Sequence, residues 1–304
     1  LWITTGKEGL EEHGASVLRA CTMTLVVMAD EDAASIGETI AALMPEHPAR
    51  TIHIHLIGSG ERALSEHVYT QCWMPFGQRR QICCEQVEIK AGDGALADLP
   101  SVVLPLAVAD VPVVLWSRTP RLVGMPAFLE IVGMATKVVV DSAAMPHARD
   151  ALRKMAAAVG RGVLLGDLAW TRVTRWRAML SQVFENRERL AQLDNVRRAR
   201  VEYGPGFETS ARYLAAWITG AVKAKVEVEP AEVTLRVEME GDGLRVELAR
   251  QDGRLTVAVN ELSHCTSLPQ PTEYLLMREE LAIVRRDPVF ERTLASAARL
   301  AYPV

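Results

Sequence analysis

From about residue 20 to residue 165 the chain alternates short apolar runs with longer stretches of mixed character. "CTMTLVVMA" (21–29), "RTIHIHLIG" (50–58), "ICCEQVEIK" (82–90), "VPVVLWS" (111–117), "KVVVDS" (137–142) and "GVLLG" (162–166) predict strands. They are short, rich in β-branched residues and bounded by turn formers. Helical stretches lie between most of them, including "DEDAASIGETIAALM" (30–44) and "ARDALRKMAAAVG" (148–160). Apolar strands alternating with helices predict an α/β domain with a mixed, largely parallel sheet over residues 1–165. The gap between the second and third strands has room for an antiparallel excursion instead of a helical crossover.

After residue 166 the pattern changes. "GDLAWTRVTRWRAMLSQVF" (166–184) reads as one helix, followed by the polar helical stretch "NRERLAQLD", a strand over 196–204 and a helix over 207–222. "AEVTLRVEME", "LRVELAR" and "RLTVAVN" then alternate apolar and polar positions. Gly241-Asp242-Gly243 and Asp252-Gly253 join them, and both are hairpin signals. "DPVFERTLASAARL" (287–300) closes the chain as a helix, with Asp287 as N-cap and Pro288 at the first helical position. Residues 166–304 therefore predict an α+β domain with an antiparallel sheet, beginning with the helix that carries the tryptophans and arginines.

The chain's 304 residues suffice for two such cores, and 49% hydrophobic with 24% charged residues is a globular composition. A formal net charge of −4 argues against a nucleic-acid binder. No apolar run approaches the roughly 18 residues of a membrane span, and no signal peptide is visible behind Leu1. The five cysteines are scattered without a CxxC pair, which suits reduced thiols in a cytoplasmic protein.

Three pieces of chemistry present themselves. Gly58-Ser59-Gly60-Glu61-Arg62-Ala63 is a G-x-G-x-x-A behind a strand, with Glu85 near the distance of a ribose-binding acid. Pro75 and Gly77 follow too soon for a full helix, so a strand-ending glycine turn is the plainer reading, and no cofactor is expected. His53 and His55 alternate along a strand and share one face, a start for a zinc site. Of the neighbouring Cys83 and Cys84 only one could join them, because successive strand residues point to opposite faces. A half-buried polar sheet face is the simpler account, and no metal is expected; a redox role for the vicinal pair stays open. Asp110, Asp141 and Asp167 fall at element boundaries, where α/β enzymes place functional groups, yet no G-x-S-x-G elbow or P-loop accompanies them. Asp167 is better placed as the N-cap of the Trp/Arg helix.

On that helix Ala169, Trp170, Val173, Trp176, Met179, Leu180, Val183 and Phe184 fill about half the circumference at 100° per residue. Arg175 lies well outside this arc, while Arg172 and Arg177 lie within it or at its edge. From Arg161 to Arg200 there are nine arginines against four acids, net positive by five. Trp and Arg are enriched at interface hot spots, and Arg forks onto carboxylates. The helix therefore reads as a partner surface, as a segment whose arginines pair internally, or as both.

Four blocks carry a resemblance. They are "PEHPARTIHIHL" with His47, Pro48 and Arg50; "ICCEQVEI" with Cys84, Glu85 and Gln86; "LPLAVADVPVVLWS" with Asp110, Pro112 and Trp116; and "GDLAWTRVTRWRAMLSQVF". In this order the chain resembles the OpcA family of glucose-6-phosphate dehydrogenase assembly proteins over most of its length. Ser117 departs from the second aromatic found in many relatives. The resemblance implies a non-catalytic partner that assembles or allosterically activates glucose-6-phosphate dehydrogenase at the entry to the oxidative pentose phosphate pathway, of unspecified oligomeric state. For such a partner, Trp170, Arg172, Arg175, Trp176 and Arg177 are the expected contact residues on this reading, with Arg50 and Trp116 behind them. The competing expectation is a sugar-phosphate- or nucleotide-binding enzyme or sensor using Gly58 and Gly60.

Overall fold

The computed structural model describes residues 17–19, 21–30, 36–73, 81–121 and 125–300. It divides into two compact units, Leu1–Val140 and Asp141–Val304. The change of sequence pattern at 165/166 falls inside the second unit.

The first unit runs β1 (Val17–Arg19), β2 (Met23–Asp30), α1 (Gly37–Leu43), β3 (Ala49–Ile57), β4 (Leu64–Trp73), β5 (Gln81–Gly92), α2 (Leu99–Leu106), β6 (Val113–Ser117), α3 (Pro126–Met134) and β7 (Lys137–Val140). Within it the strand order is β1-β5-β3-β2-β6-β7, all parallel, with β4 antiparallel on β5. The mixed, largely parallel sheet is thus as the alternation predicts, and β4 is the antiparallel excursion. β2 is buried on both faces from Met23 to Ala29, which explains its unbroken apolar run.

The Gly58–Ala63 stretch leads into strand β4, not a helix. Its backbone is tied to the end of β5: Asp93 N donates to Ser59 O at 2.7 Å and Gly94 N to Glu61 O at 3.2 Å. Gly92 and Gly94 admit this approach because a Cβ on Gly92 would lie 2.3 Å from Glu61 O. The glycines therefore lie in a backbone clasp between the start of β4 and the end of β5. The expectation of reduced, unpaired thiols is corrected. Cys72 and Cys83 sit directly opposite each other in the β4–β5 register and form a disulfide.

The second unit runs α4 (Ala148–Gly160), β8 (Leu165–Asp167), α5 (Leu168–Thr171), α6 (Thr174–Val183), α7 (Arg187–Gln192), β9 (Val196–Tyr203), α8 (Glu208–Thr219), β10 (Val226–Pro230), β11 (Leu235–Gly241), β12 (Leu244–Gln251), β13 (Arg254–Val259), β14 (Leu262–Ser267), α9 (Glu273–Leu281) and α10 (Pro288–Leu300). A sheet of order β10-β9-β11-β12-β13-β14 is antiparallel except for the parallel pair β9–β10. One face buries Ala199, Val201, Val237, Met239, Val246, Leu248 and Leu255. The other carries charges, with Arg236 reaching Glu238 at 2.7 Å and Glu247 at 3.0 Å. Helix α10 packs on α4 and α8, and Asp287 caps it by accepting from Val289 N at 2.8 Å and Phe290 N at 3.1 Å. The Trp/Arg segment is not one helix. It breaks at Arg172–Val173, where Thr171, Val173 and Thr174 crowd β-branched side chains together. Among the described residues no helix is long and apolar enough to cross a membrane.

Gly92→Ala should cost roughly 1–3 kcal/mol, since its Cβ meets backbone and not a flexible side chain. Chemical denaturation would show a lower midpoint at unchanged slope, and wild-type stability would contradict the clasp.

Candidate functional site

A densely bonded polar group of the second unit is the Asp167 carboxylate, at the end of β8 and fully buried. One oxygen accepts from Ser142 N at 3.0 Å and from Ala169 N at 3.0 Å, the second bond being the N-cap of α5. The other accepts from the Ser142 hydroxyl and from Tyr213 Oη at 2.7 Å. Burial, reinforced by the nearby Asp141 charge, pushes its pKa up to about 6, while the Ser142 and Tyr213 bonds pull it down. Four donors leave this carboxylate committed to joining the 142–144 turn, α5 and α8. A general base would need a free lone pair facing substrate.

The neighbouring groups extend the network. Asp141 caps the 142–144 turn through Ala143 N and takes the two-pronged guanidinium of Arg172, with Nη1 to Oδ1 at 2.7 Å and Nη2 to Oδ2. Thr171 Oγ1 donates to Glu280 Oε2 on α9 at 2.9 Å, and Ser210 Oγ on α8 to Ala169 O at 3.1 Å. Trp170 packs with Tyr213 and Phe290 at centroid distances of 5.6 and 5.9 Å. The Arg177 guanidinium lies over the Trp170 ring, 3.3 Å from its centroid, and also donates to Thr174 Oγ1 at 3.0 Å. Burial lowers the Arg177 pKa to about 10, so it stays charged near neutrality.

The structure therefore divides the five expected contact residues. Trp170 and Trp176 are buried, Arg172 is forked onto Asp141, Arg177 is stacked on Trp170, and Arg175 is exposed. Of the other two, Trp116 is wholly buried with Arg118 over its ring. Arg50 pairs with Glu85 at 2.6 Å and donates to Leu106 O at 3.0 Å. That pair joins the first two sequence blocks across neighbouring strands. Asp110, at φ 64°, turns the chain ahead of β6. Ser142, Tyr213 and Glu280 escaped the sequence reading, because their roles depend on elements far along the chain meeting at Asp167 and Thr171.

In the first unit the register sets His53 on β3 opposite Glu88 on β5, and His55 follows two residues on along the same face. Burial, with the His55 and Arg118 charges, lowers the His53 pKa to about 4. Neither cysteine joins these histidines: Cys83 is in the disulfide, and Cys84 lies four residues from Glu88 along β5, outside the cluster. At the strand ends Arg121 bridges Asp30, at 3.0 Å, and Asp93, at 2.9 Å.

Two family models together match most of the chain from residue 40 to residue 294. The N-terminal domain of the glucose-6-phosphate dehydrogenase subunit matches residues 40–157, and the C-terminal domain of the same protein matches residues 164–294. The chain belongs to the OpcA family. The putative OxPP cycle protein OpcA of Synechocystis sp. is 21% identical over 73% of this chain and 46% of its own length. Its counterpart from Nostoc punctiforme is 22% identical over 58% of this chain and 38% of its own. The chain thus spans less than half the length of these OpcA relatives. Among solved structures, a dehydrogenase from Chromobacterium violaceum matches with a TM-score of 0.52 at 10% identity, over 94% of this chain and 93% of that one. An oxidoreductase from Sinorhizobium meliloti gives 0.51 at 12%, over 91% and 95%. At such identities the OpcA chain shares their fold alone.

The raised pKa of Asp167 has a definite sign. Between the unfolded value near 4 and the folded value of about 6, the folded chain holds a proton that the unfolded chain has released. Stability from this group is therefore lost as pH rises through that window, by on the order of 3 kcal/mol. Asp167→Asn has no such titration. Its stability relative to wild type should rise between pH 4 and pH 6.5 in paired denaturant melts, and a pH-independent difference would contradict the assignment.

Proposed function

We propose that this OpcA chain is a non-catalytic partner of glucose-6-phosphate dehydrogenase that assists its assembly and favours its active form. The match of both family models, spanning 40–157 and 164–294, carries this reading. The polar groups that first suggest catalysis support it by being spent internally: Asp167 on four donors, Asp141 on Arg172, and the glycine turn on its own backbone clasp.

The mechanism is a population shift. A partner that binds the active form of the dehydrogenase about tenfold more tightly than the inactive one contributes about 1.4 kcal/mol, within reach of one forked Arg–carboxylate contact. Within the Trp/Arg segment the contact role falls to Arg175, the exposed arginine. Trp170, Arg172, Trp176 and Arg177 make the rigid base that presents it.

The deciding experiment titrates the chain into glucose-6-phosphate dehydrogenase from the same organism and follows NADPH formation at limiting substrate. A saturable rise in rate with co-elution on a sizing column is expected; a flat response with no complex would reject the role.

Arg175→Ala should weaken the complex about tenfold, as for a moderate hot spot, and leave the melting temperature unchanged. Arg177→Ala removes a part-buried stack worth about 1–2 kcal/mol and should lower the melting temperature by a few degrees. If Arg175→Ala binds as wild type, the contact surface lies elsewhere.

A further inference from the structure

The polar face of the first unit's sheet holds a group that the partner role does not use. His53, His55 and Glu88 each offer one ligand atom, and these atoms all lie within 4.8 Å of one another. The geometry follows from the fold. Alternation along β3 puts both imidazoles on one face, and the parallel β3–β5 register sets Glu88 directly beside His53. The two rings pack with centroids 3.8 Å apart at an interplanar angle of 43°.

A second observation points to a ligand. His53 is only 7% exposed, and its Nε2 is buried with no hydrogen-bond partner among the described residues. A buried nitrogen left unsatisfied is costly, and such groups generally have a partner. Glu88 is meanwhile oriented from outside. Tyr69 Oη donates to its Oε1 at 3.2 Å, which leaves Oε2 to coordinate. A second residue steering a ligating carboxylate in this way is a usual feature of metal sites. Tyr69 and His67 on β4 are themselves exposed, so the cluster can be reached from the β4 side.

We infer that His53, His55 and Glu88 form a site for a divalent late first-row metal ion of the zinc type. Two imidazoles and a carboxylate are a recurrent zinc donor set. Bonds of about 2.0–2.2 Å place tetrahedral ligand atoms roughly 3.3 Å apart, so closing the cluster from its present spacing takes small side-chain rotations. The site leaves a coordination position for water or for a further donor. The charges of Arg118, which lies over Trp116, and of Lys90, in register with His55, oppose a cation and temper its affinity.

The test uses the full chain, stripped with a chelator and dialysed. Zinc chloride titration by calorimetry should give one equivalent per chain. Cobalt(II) should give d–d bands without a thiolate charge-transfer band, since no cysteine takes part. Glu88→Gln should weaken zinc binding at least about tenfold, and His55→Asn should abolish it. His264→Asn, on the exposed strand β14, should bind as wild type. Far-UV circular dichroism checks that each variant folds, and Glu88→Gln alone decides the question if His55→Asn does not. No zinc uptake by the wild type overturns the site. So does uptake that survives Glu88→Gln and His55→Asn, or a cobalt thiolate band. None of these readouts involves the dehydrogenase, so the metal site and the partner role stand or fall separately.

Discussion

A carboxylate removed from water must be satisfied from within or become protonated, and the second unit is organised around that requirement at Asp167. Its two oxygens draw in the 142–144 turn, the first turn of α5 and Tyr213 of α8. Once these are fixed, Trp170 has one place to go, against Tyr213 and Phe290, and α10 closes over the same cluster. A buried ionisable group seldom adds net stability over an apolar replacement, but it strongly penalises arrangements that leave it unpaired. Asp167 thereby selects one way of assembling α5, α8 and the turn.

The concentration of tryptophan and arginine in this segment follows from the same construction. The chain must pass from the buried end of β8 to a helix with one wet face, and it does so through the break at Arg172–Val173. Arginine suits the boundary because its planar guanidinium can fork onto a carboxylate, as Arg172 does on Asp141, or lie flat on an indole, as Arg177 does on Trp170. A lysine ammonium offers neither geometry. Both pairings stay inside the second unit, and only Arg175 in this segment's expected contact set points its charge at solvent.

Much of the fold was legible because it rests on local signals. Helix α4 spans the residues that its pattern predicts, β3 and β5 fall within a residue or two, and Asp167 and Asp287 cap the helices they were expected to cap. The turns at 241–243 and 252–253 appear with Gly243, Asp252 and Gly253 at positive φ. What failed was non-local or finely balanced. Strands β10 and β14 are short and weakly alternating, and β14 is exposed over most of its length. The helix break lies inside a stripe whose 3.6-residue period continues unbroken through it. Cys72 opposite Cys83, and Glu88 opposite His53, are facts of register, which a single sequence does not contain. The same holds for the candidate sites: the arginines could be found by composition, but their partners could not.

Parallel α/β sheets bind ligands beyond the carboxyl ends of their strands, where loops diverge and leave a crevice. Here Arg121, just after β6, bridges Asp30 at the end of β2 and Asp93 just after β5. The loop after β3 is drawn onto the same region by its bonds to Asp93 and Gly94. Among the described residues at this edge, Arg121, Asp30 and Asp93 are engaged with one another. The histidine–glutamate cluster lies in the middle of the strands, on a face, where strand register and not loop chemistry places the donors. A fold shared with enzymes does not by itself fix a role: at this edge the charges of Arg121, Asp30 and Asp93 hold one another.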